Sequence, residues 1–176
     1  MILGITGGIA SGKTLATRIF RQLGAVVVSA DDLAREVVAP GSPTLARLAE
    51  RFGAGILLPD GALDRAALAV ARLRESAAQE RPLIVYEAPL LYEAGAEGRV
   101  DAVLVVTVSE ENQVQRLMAR DGLTRRAALE RIAAQMPQAE KAARADFVID
   151  NDGTPEELEA AVGELFRRLS CVKTPE

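Results

Sequence analysis

The stretch ILGITGGIASGKT, residues 2–14, decides the fold of this chain. An apolar run leads into a glycine-rich loop, and a helical pattern of apolar residues follows it. The spacing of Gly7, Gly12, Lys13 and Thr14 matches the phosphate-binding loop, in which backbone N–H groups surround a phosphate and the lysine reaches the outer phosphates. The hydroxyl of Thr14 can bind Mg²⁺. A glycine-rich turn can also simply join a strand to a helix, but a lysine and a hydroxyl at these positions favour nucleotide binding.

The composition indicates one compact globular domain. The chain has 176 residues, of which 49% are hydrophobic and 26% charged, so it can bury a core and is not disordered. No uninterrupted apolar stretch is long enough to cross a bilayer. The short apolar start has no basic region before it, so the sequence predicts no signal peptide and a cytoplasmic location. The single cysteine, Cys171, cannot form an internal disulfide, which agrees with a reducing compartment.

Charge and residue usage exclude several classes of function. The formal net charge is −4 and the pI is about 5.1, whereas nucleic-acid-binding proteins present a basic surface. We therefore expect no nucleic-acid partner, and the apolar pattern predicts no membrane partner. Histidine is absent, which excludes Ser–His catalysis, histidine metal sites and histidine general bases. Proton transfer must use a carboxylate, lysine or tyrosine.

Five short apolar runs without strict alternation predict a parallel sheet that is covered on both faces. Helical patterns separate these runs, which is typical of an α/β fold. The predicted strands are 2–6, 25–29, 83–87, 102–108 and 147–150. The predicted helices are 12–23, 31–38, one that begins at Ser42 or Thr44 and runs toward Phe52, one capped by Ser109 that reaches Arg120, and 124–134, 137–144 and 154–169.

Polar residues follow the predicted strands, at the edge of a parallel sheet where ligands bind. Asp31 and Asp32 follow the second strand, Glu87 ends the third, and Asn151 follows the fifth. Carboxylates at strand ends also act as helix N-caps, and for Asp32 that interpretation is as strong as a functional one. Two carboxylates facing a phosphate loop favour phosphoryl transfer, because a hydroxyl acceptor needs a base and Mg²⁺ needs a second anchor.

Successive motifs extend along nearly the whole chain. They are TGGIASGKT, SADDLAREVV with PGSP, DGALDR, EAPLLYEAG, RLMARDGLTRR, RIAAQMP and ADFVIDNDGTPEEL. Together they resemble the motifs of dephospho-CoA kinases. The phosphate loop occurs in many nucleotide-binding families, but these motifs together are specific. The resemblance implies a P-loop kinase fold that uses ATP and Mg²⁺ to phosphorylate the ribose 3′-hydroxyl of dephospho-CoA, the last step of coenzyme A synthesis. It also implies a helical acceptor-binding region and an arginine-bearing lid.

The resemblance further implies roles for residues that match the family motifs. It implies Asp31, Lys13 and Arg131 as catalytic residues, with Arg131 preferred over Arg120 for stabilising charge on the transferred phosphoryl group. Thr14 is the expected metal ligand. The expected nucleotide-binding residues are Gly8, Ala10, Ser11, Gly12, Lys13, Thr14, Leu15, Arg120 and Asn151. The expected acceptor-binding residues are Asp31, Arg35, Glu87, Pro89 and Leu90.

Alternatives stay open for some of these residues. Arg35 lies one helical turn beyond Asp31 and is as easily a solvated helix charge as an acceptor contact. The candidates in the segment that matches the lid, for contacts with the transferred phosphoryl group, are Arg116, Arg120, Arg131 and Gln135. Several of the arginines in this segment must be ordinary surface residues.

Three departures from the family pattern limit these assignments. Leu15 replaces a residue that commonly carries a hydroxyl, and Ser29 replaces the first aspartate of the usual Asp-Ala-Asp segment. The largest departure lies between Arg65 and Leu83, where the family carries a helical segment with a His-Pro motif. Only residues 66–82 remain here, and we expect them to form a single helix, a remnant of the acceptor-binding region.

The predicted organisation is a single P-loop kinase domain over residues 1–169, with the acceptor remnant at 66–82, a lid at 120–144 and a flexible tail at 170–176. Three functions stay open: an active dephospho-CoA kinase with a reduced acceptor site, a nucleotide-binding protein that has lost efficient transfer, and a kinase for another small alcohol or nucleoside. The retained Asp31, the lid arginines and the EAPLLYE motif favour the first. The sequence indicates no particular oligomeric state.

Overall fold

A computed structural model describes residues 1–29, 40–64, 67–68, 70–71 and 83–170. It contains five parallel strands: β1 (Ile2–Gly7), β2 (Val26–Ser29), β3 (Ile84–Glu87), β4 (Ala102–Thr107) and β5 (Phe147–Asp150). Their order in the sheet is β2-β3-β1-β4-β5. Every neighbouring pair is parallel, so all five carboxyl ends lie at one edge. The predicted five-stranded parallel sheet is confirmed, with each strand within about two residues of its predicted bounds.

The helices of the described part are α1 (Lys13–Gln22), α2 (Pro43–Phe52), α3 (Glu110–Asp121), α4 (Arg125–Ala133), α5 (Gln138–Ala143) and α6 (Pro155–Ser170). Side-chain oxygens cap three of them: Ser42 accepts from the N–H of Leu45, Ser109 from that of Asn112, and Thr124 from that of Ala127. These caps satisfy N–H groups that have no partner within the helix. Ser42, and not Thr44, therefore caps α2.

The sheet is buried on both faces, which explains why its strands lack polar alternation. Neighbouring residues of a strand point to opposite faces, so Val85 joins one core while Ile84 and Tyr86 join the other. The first core packs β1 and β4 against α1 and α6, with Phe20 and Val162 completely buried. The second packs the opposite face against the chain that follows β3, including Leu91 and Tyr92.

A smaller apolar cluster lies apart from the two sheet cores. It joins α2 to the hairpin-like stretch after it and contains Leu45, Ile56, Leu63 and Leu68. The Asp64 carboxylate accepts two hydrogen bonds from Arg99, at 2.7 and 2.6 Å, which attach this cluster to the turn before β4. Residues 67–68 and 70–71 are helical, as expected for the acceptor remnant.

Some sequence predictions fall on residues outside the described part. They are the helix over 31–38 and most of the predicted helix over 66–82. The predicted tail began at Ser170, but this residue is the last one of α6, because the helical hydrogen bonding continues one residue further than expected. Residues 171–176 lie outside the described part. Among the described helices, none is long and apolar enough to cross a membrane.

Candidate active site

A cleft of about 920 Å³ opens at the carboxyl edge of the sheet, where ligands bind in such folds. The phosphate loop, the end of β3, the first lid helix α3 and the loop after β5 all contribute to it. Its lining residues are Ile9, Ala10, Gly12, Lys13, Thr14, Leu15, Glu87, Pro89, Arg116, Ala119, Arg120, Gln135, Asn151, Gly153 and Pro155. Seven of the expected nucleotide-binding residues therefore meet here: Ala10, Gly12, Lys13, Thr14, Leu15, Arg120 and Asn151.

Lys13 is held against the phosphate loop. Its ammonium group donates to the carbonyl oxygen of Gly7 at 3.1 Å and to that of Gly8 at 2.8 Å, and only 8% of the residue is exposed. Because the helix α1 begins at Lys13, the positive end of the helix dipole faces the same cleft. This combination attracts phosphate groups.

Asn151 braces the phosphate loop from the loop that follows β5. Its Nδ2 donates to the carbonyl oxygen of Ser11 at 2.7 Å, and its own carbonyl accepts from Arg116 at 2.8 Å. Gly12 makes this approach possible, because a Cβ atom there would lie 2.1 Å from Nδ2 of Asn151. Gly12 also has φ +97°, a conformation that side chains rarely adopt. Asn151 therefore shapes the loop besides lining the cleft.

Glu87 joins the end of β3 to the start of α1. Its carboxylate accepts from the hydroxyl of Thr14 at 3.2 Å and from that of Thr17 at 3.1 Å. Thr14 and Glu87 both line the cleft, so a hydroxyl oxygen and a carboxylate oxygen are next to each other beside the phosphate loop. Mg²⁺ in phosphoryl-transfer sites takes one or two such protein oxygens and completes its shell with phosphates and water. The residues present therefore fit Mg²⁺.

The lid arginines divide between the cleft and the surface. Arg116 and Arg120 line the cleft, whereas Arg131 is not among its lining residues. Asp121 accepts from Arg120 at 2.7 and 3.0 Å and from Arg131 at 3.0 Å, so it joins the two arginines. The hydrogen bonds from Arg120 hold the pKa of Asp121 below its ordinary value, and the charges of Arg120 and Arg131 act in the same direction against partial desolvation.

Two glutamines contact the phosphate loop, and a third supports one of them. Gln135 accepts from the N–H of Ile9 at 2.7 Å, and Gln113 donates to the carbonyl of the same residue at 2.6 Å. Gln138 donates to Gln113 at 2.8 Å and exchanges hydrogen bonds with the backbone of Val108. Sequence reasoning named Gln135 but missed Gln113 and Gln138. Glutamine carries no local signal, although a glutamine at an inward position of a predicted helix is one to inspect.

The remaining predicted residues are placed as follows. Gly8 and Ser11 lie in the loop and contribute the carbonyl groups described above, although they do not line the cleft. Pro89 lines the cleft, whereas Leu90 is 51% exposed and does not. Asp31 and Arg35 lie outside the described residues. Among the described residues, no group of three histidine, cysteine, aspartate or glutamate side chains could hold a metal ion on its own.

Comparison with known proteins identifies the family. The model of the dephospho-CoA kinase family matches residues 1–81 and 71–157. A dephospho-CoA kinase of Syntrophotalea carbinolica is 52% identical over 194 residues, covering 96% of this chain and 92% of the relative. The chain belongs to the dephospho-CoA kinase family. A dephospho-CoA kinase of Geobacter sulfurreducens is 50% identical over 192 residues, covering 95% of this chain and 98% of the relative.

Solved structures agree with the fold of this chain. The crystal structure of TT1252 from Thermus thermophilus is 34% identical, with a TM-score of 0.69, and covers 96% of this chain and 97% of the other. A dephospho-CoA kinase from Campylobacter jejuni has a TM-score of 0.60 at 23% identity, with 96% of each chain covered, and supports the P-loop kinase fold. The chain is thus a kinase of the coenzyme A biosynthetic family, a phosphotransferase with a nucleotide-binding fold.

Proposed function

We propose that this chain transfers the γ-phosphoryl group of ATP to the ribose 3′-hydroxyl of dephospho-CoA, giving coenzyme A and ADP. The 3′-oxygen attacks the γ-phosphorus, the bond from that phosphorus to the β–γ bridging oxygen breaks, and the hydroxyl proton passes to a carboxylate. One observation carries this proposal. In a chain of the dephospho-CoA kinase family, a single cleft joins the loop lysine Lys13, the carboxylate of Glu87 and the lid arginines Arg116 and Arg120.

Donor binding is the best supported part of the proposal. The backbone N–H groups of the loop and the ammonium of Lys13 bind the β- and γ-phosphates, since both face the cleft at the positive end of α1. The ammonium then exchanges its contacts with Gly7 and Gly8 for phosphate oxygens. Arg116, Asn151 and Pro155 line the same cleft, where we propose that they border the nucleoside.

Mg²⁺ is proposed to bind beside the loop, on the hydroxyl of Thr14 and the carboxylate of Glu87. When bound, Mg²⁺ neutralises charge on the β- and γ-phosphate oxygens. Glu87 also accepts from Thr17, which keeps the carboxylate fixed next to the hydroxyl of Thr14. The two side chains therefore present their oxygens without having to reorganise.

Asp31 is the proposed base that accepts the hydroxyl proton. Sheet register supports this role, because Ser29, the last residue of β2, is paired with Glu87 of β3. The chain thus leaves β2 next to Glu87 and reaches Asp31 two residues later in the sequence. Arg35 follows in the same segment and is the proposed acceptor contact.

Arg131 is the proposed arginine that stabilises charge on the phosphoryl group during transfer. Its link to Arg120 through Asp121 supports this role, since Arg120 already lines the cleft. On closure of the lid, Arg131 would give up its hydrogen bond to the carboxylate of Asp121 and bind the phosphoryl oxygens, and water would be excluded from the cleft. The lid residues of α3, α4 and α5 would then move together.

The acceptor side is proposed to be a reduced version of the family's region, with Glu87, Pro89 and Leu90 at its edge. Two features of the comparisons support a shortened segment at 66–82. The alignment with the first relative has 194 positions, more than the 176 residues of this chain, so this chain must carry gaps in it. The family model also matches in two stretches that meet at 71–81. We also propose a cytoplasmic location, where both substrates of this reaction are available.

The test measures ADP release and 3′-phosphorylated product with ATP and Mg²⁺, with and without dephospho-CoA. We expect product to form in proportion to ADP, and we expect Lys13→Ala to abolish it while Arg21→Ala, an exposed cation on the same helix, leaves it unchanged. Asp31→Asn should lower kcat by roughly 10²- to 10⁴-fold with nearly unchanged ATP binding. ATP binding without product would indicate a nucleotide-binding protein, and product only with another alcohol would indicate a different acceptor.

A further inference from the structure

Lys141 is a lysine with no exposed surface. Its side chain lies on α5 and is 0% exposed, although α5 is a short helix of the lid. The chain has three lysines, Lys13, Lys141 and Lys173, and uses arginine for its other 18 basic residues. Two of these three lysines are buried, and the first of them is the lysine of the phosphate loop. The reaction described above does not use Lys141.

The contacts of Lys141 all lead to the segment that follows β3. Its ammonium group lies 2.8 Å from the carboxylate of Glu93 and donates to the carbonyl of Pro89 at 3.1 Å. The same carbonyl accepts from the hydroxyl of Thr6, at the end of β1, at 3.0 Å. The carboxylate of Glu93 also accepts from the N–H of Met136 at 3.2 Å. Lys141 therefore ties both ends of segment 89–93 to α5, while Thr6 ties Pro89 to β1.

Stability alone does not explain this arrangement. Removing an ammonium group from water costs several kcal/mol, and a buried ion pair is often no more stabilising than apolar side chains of similar volume. Desolvation raises the pKa of Glu93, but the hydrogen bond from Lys141, those from the backbone N–H groups of Glu93 and Met136, and the charge of Lys141 outweigh it and leave the pKa below its ordinary value. The carboxylate form of Glu93 is therefore favoured, and it is held at a fixed position 2.8 Å from the ammonium group of Lys141. The buried pair of Lys141 and Glu93 therefore fixes the relative positions of the two segments that carry it.

We propose that Lys141 is a positioning residue that fixes segment 89–93 at the acceptor edge of the cleft. The inference rests on the proposed function, since Pro89 lines the cleft on the side assigned to the acceptor. Lys141 of α5 and Thr6 of β1 both donate to the carbonyl of Pro89, and these hydrogen bonds fix the start of the segment. The carboxylate of Glu93, held by Lys141 and Met136, fixes its end.

Met136 connects the contacts of Lys141 and Glu93 to the donor site. Met136 follows Gln135, which accepts from Ile9 of the phosphate loop. Two consecutive residues of the linker between α4 and α5 thus attach to the two sides of the cleft: Gln135 to the donor loop and Met136, through Glu93, to the acceptor segment. Lys141 follows in the last turn of the next helix, α5, and secures the second attachment.

The test uses Lys141→Met, which replaces the ammonium group by an apolar end, and the double variant Lys141→Met/Glu93→Gln, which removes both charges. Arg126→Met is the matched control, because Arg126 is an exposed lid cation whose partner is Glu130. We expect Lys141→Met to raise the KM for dephospho-CoA about tenfold while the KM for ATP stays within about twofold. The double variant should recover the melting temperature of the wild type but keep the high acceptor KM, because the carbonyl of Pro89 still lacks the hydrogen bond from Lys141 and keeps only that from Thr6.

Amide hydrogen exchange gives a readout that does not depend on product formation. We expect Lys141→Met to speed exchange over residues 88–96 and to leave β1 and α3 unchanged. An unchanged acceptor KM, equal rises in both KM values, or unchanged exchange over 88–96 would each overturn the role of Lys141. If the wild type forms no 3′-phosphorylated product, the proposed function fails, and the exchange experiment still decides whether Lys141 positions this segment.

Discussion

The backbone N–H of Ile9, in the middle of the phosphate loop, donates to the Oε1 atom of Gln135 at 2.7 Å. The carbonyl of the same residue accepts from Gln113 at 2.6 Å. The peptide units on the two sides of Ile9 are therefore held by Gln135 of the predicted lid and by Gln113 of α3, and both glutamines lie far from Ile9 in the sequence. This pair of contacts makes the shape of the donor loop depend on the position of the lid.

The contact between Ile9 and Gln135 can be tested by Gln135→Ala. The variant leaves the N–H of Ile9 without its partner while Gln113 still holds the carbonyl, so the loop loosens without unfolding. Loss of about 1 kcal/mol of hydrogen bonding corresponds to about a fivefold fall in kcat/KM for ATP. Steady-state kinetics with varied ATP measures this fall. Gln115→Ala is the control, because Gln115 is exposed and bonds to Glu111 on the same helix. Equal kcat/KM values for both variants would contradict the expected role.

Gly12 should tolerate no side chain. In Gly12→Ala, the new Cβ would lie 2.1 Å from Nδ2 of Asn151 and would adopt φ +97°, so either the loop or Asn151 must move. We expect ATP binding, measured by calorimetry, to weaken at least about tenfold while the melting temperature falls by a few degrees. Gly98→Ala is the control, because a Cβ there meets open space. Unchanged ATP affinity in Gly12→Ala would show that this loop does not bind the phosphates.

The local parts of the fold and site are predictable from the sequence. The strand, loop and helix from Ile2 to Gln22 are encoded by neighbouring residues, and so is the capping of α2, α3 and α4. The contacts of Gln113, Gln138 and Lys141 are not, because each depends on how the lid folds back onto the sheet. The sequence of α5, QAEKAA, is typical of an exposed helix, yet its lysine is completely buried.

The roles of the lid arginines also depend on tertiary contacts that the sequence does not predict. The family resemblance places Arg120 and Arg131 in the lid and favours Arg131 for the transferred phosphoryl group, but their positions relative to the cleft depend on tertiary packing and cannot be predicted from the sequence. Arg120 lines the cleft and Arg131 does not. An arginine already at the nucleotide contributes to binding in the ground state, whereas one that arrives on closure contributes to the transition state.

We therefore expect different kinetic effects from these two arginines. Arg120→Ala should raise the KM for ATP, and Arg131→Ala should lower kcat by about 10²-fold with the KM for ATP within about twofold. Arg126→Ala, which removes an exposed cation of the same helix as Arg131, should change neither value. The opposite result, a loss of kcat confined to Arg120→Ala, would make Arg120 the charge-stabilising residue.

Glu93 should contribute to stability in a pH-dependent way. Its pKa in the folded protein lies below the ordinary value of 4.5, so its contribution is present above 4.5 and is lost as the pH falls through the lower, folded value. Glu93→Gln removes this contribution at every pH. The difference in free energy of unfolding between the wild type and Glu93→Gln should therefore be constant from pH 7 to 5 and narrow below 4.5. Urea unfolding at several pH values measures it, and a difference that widens in acid would show that the sign is wrong.

The proposed shortening of the segment at 66–82 should weaken acceptor binding more than donor binding. A helical region that closes over dephospho-CoA supplies uniform binding, whereas Lys13, Asp31 and the lid supply interactions made in the transition state. The described residues of this region have a small apolar core, which the contact between Asp64 and Arg99 attaches to the rest of the protein. None of the residues of this core lines the donor cleft. We expect a KM for dephospho-CoA at least about tenfold above that of a full-length relative assayed alongside, with a similar KM for ATP.

Easier entry of water should also raise ATP hydrolysis relative to transfer. Parallel assays of ADP and 3′-phosphorylated product over a titration of dephospho-CoA measure both effects, and saturating acceptor should suppress the hydrolysis because it displaces water from the cleft. A KM equal to that of the relative, with no excess ADP, would show that the missing residues are dispensable for acceptor binding. The reaction would then depend on the cleft and segment 89–93 alone.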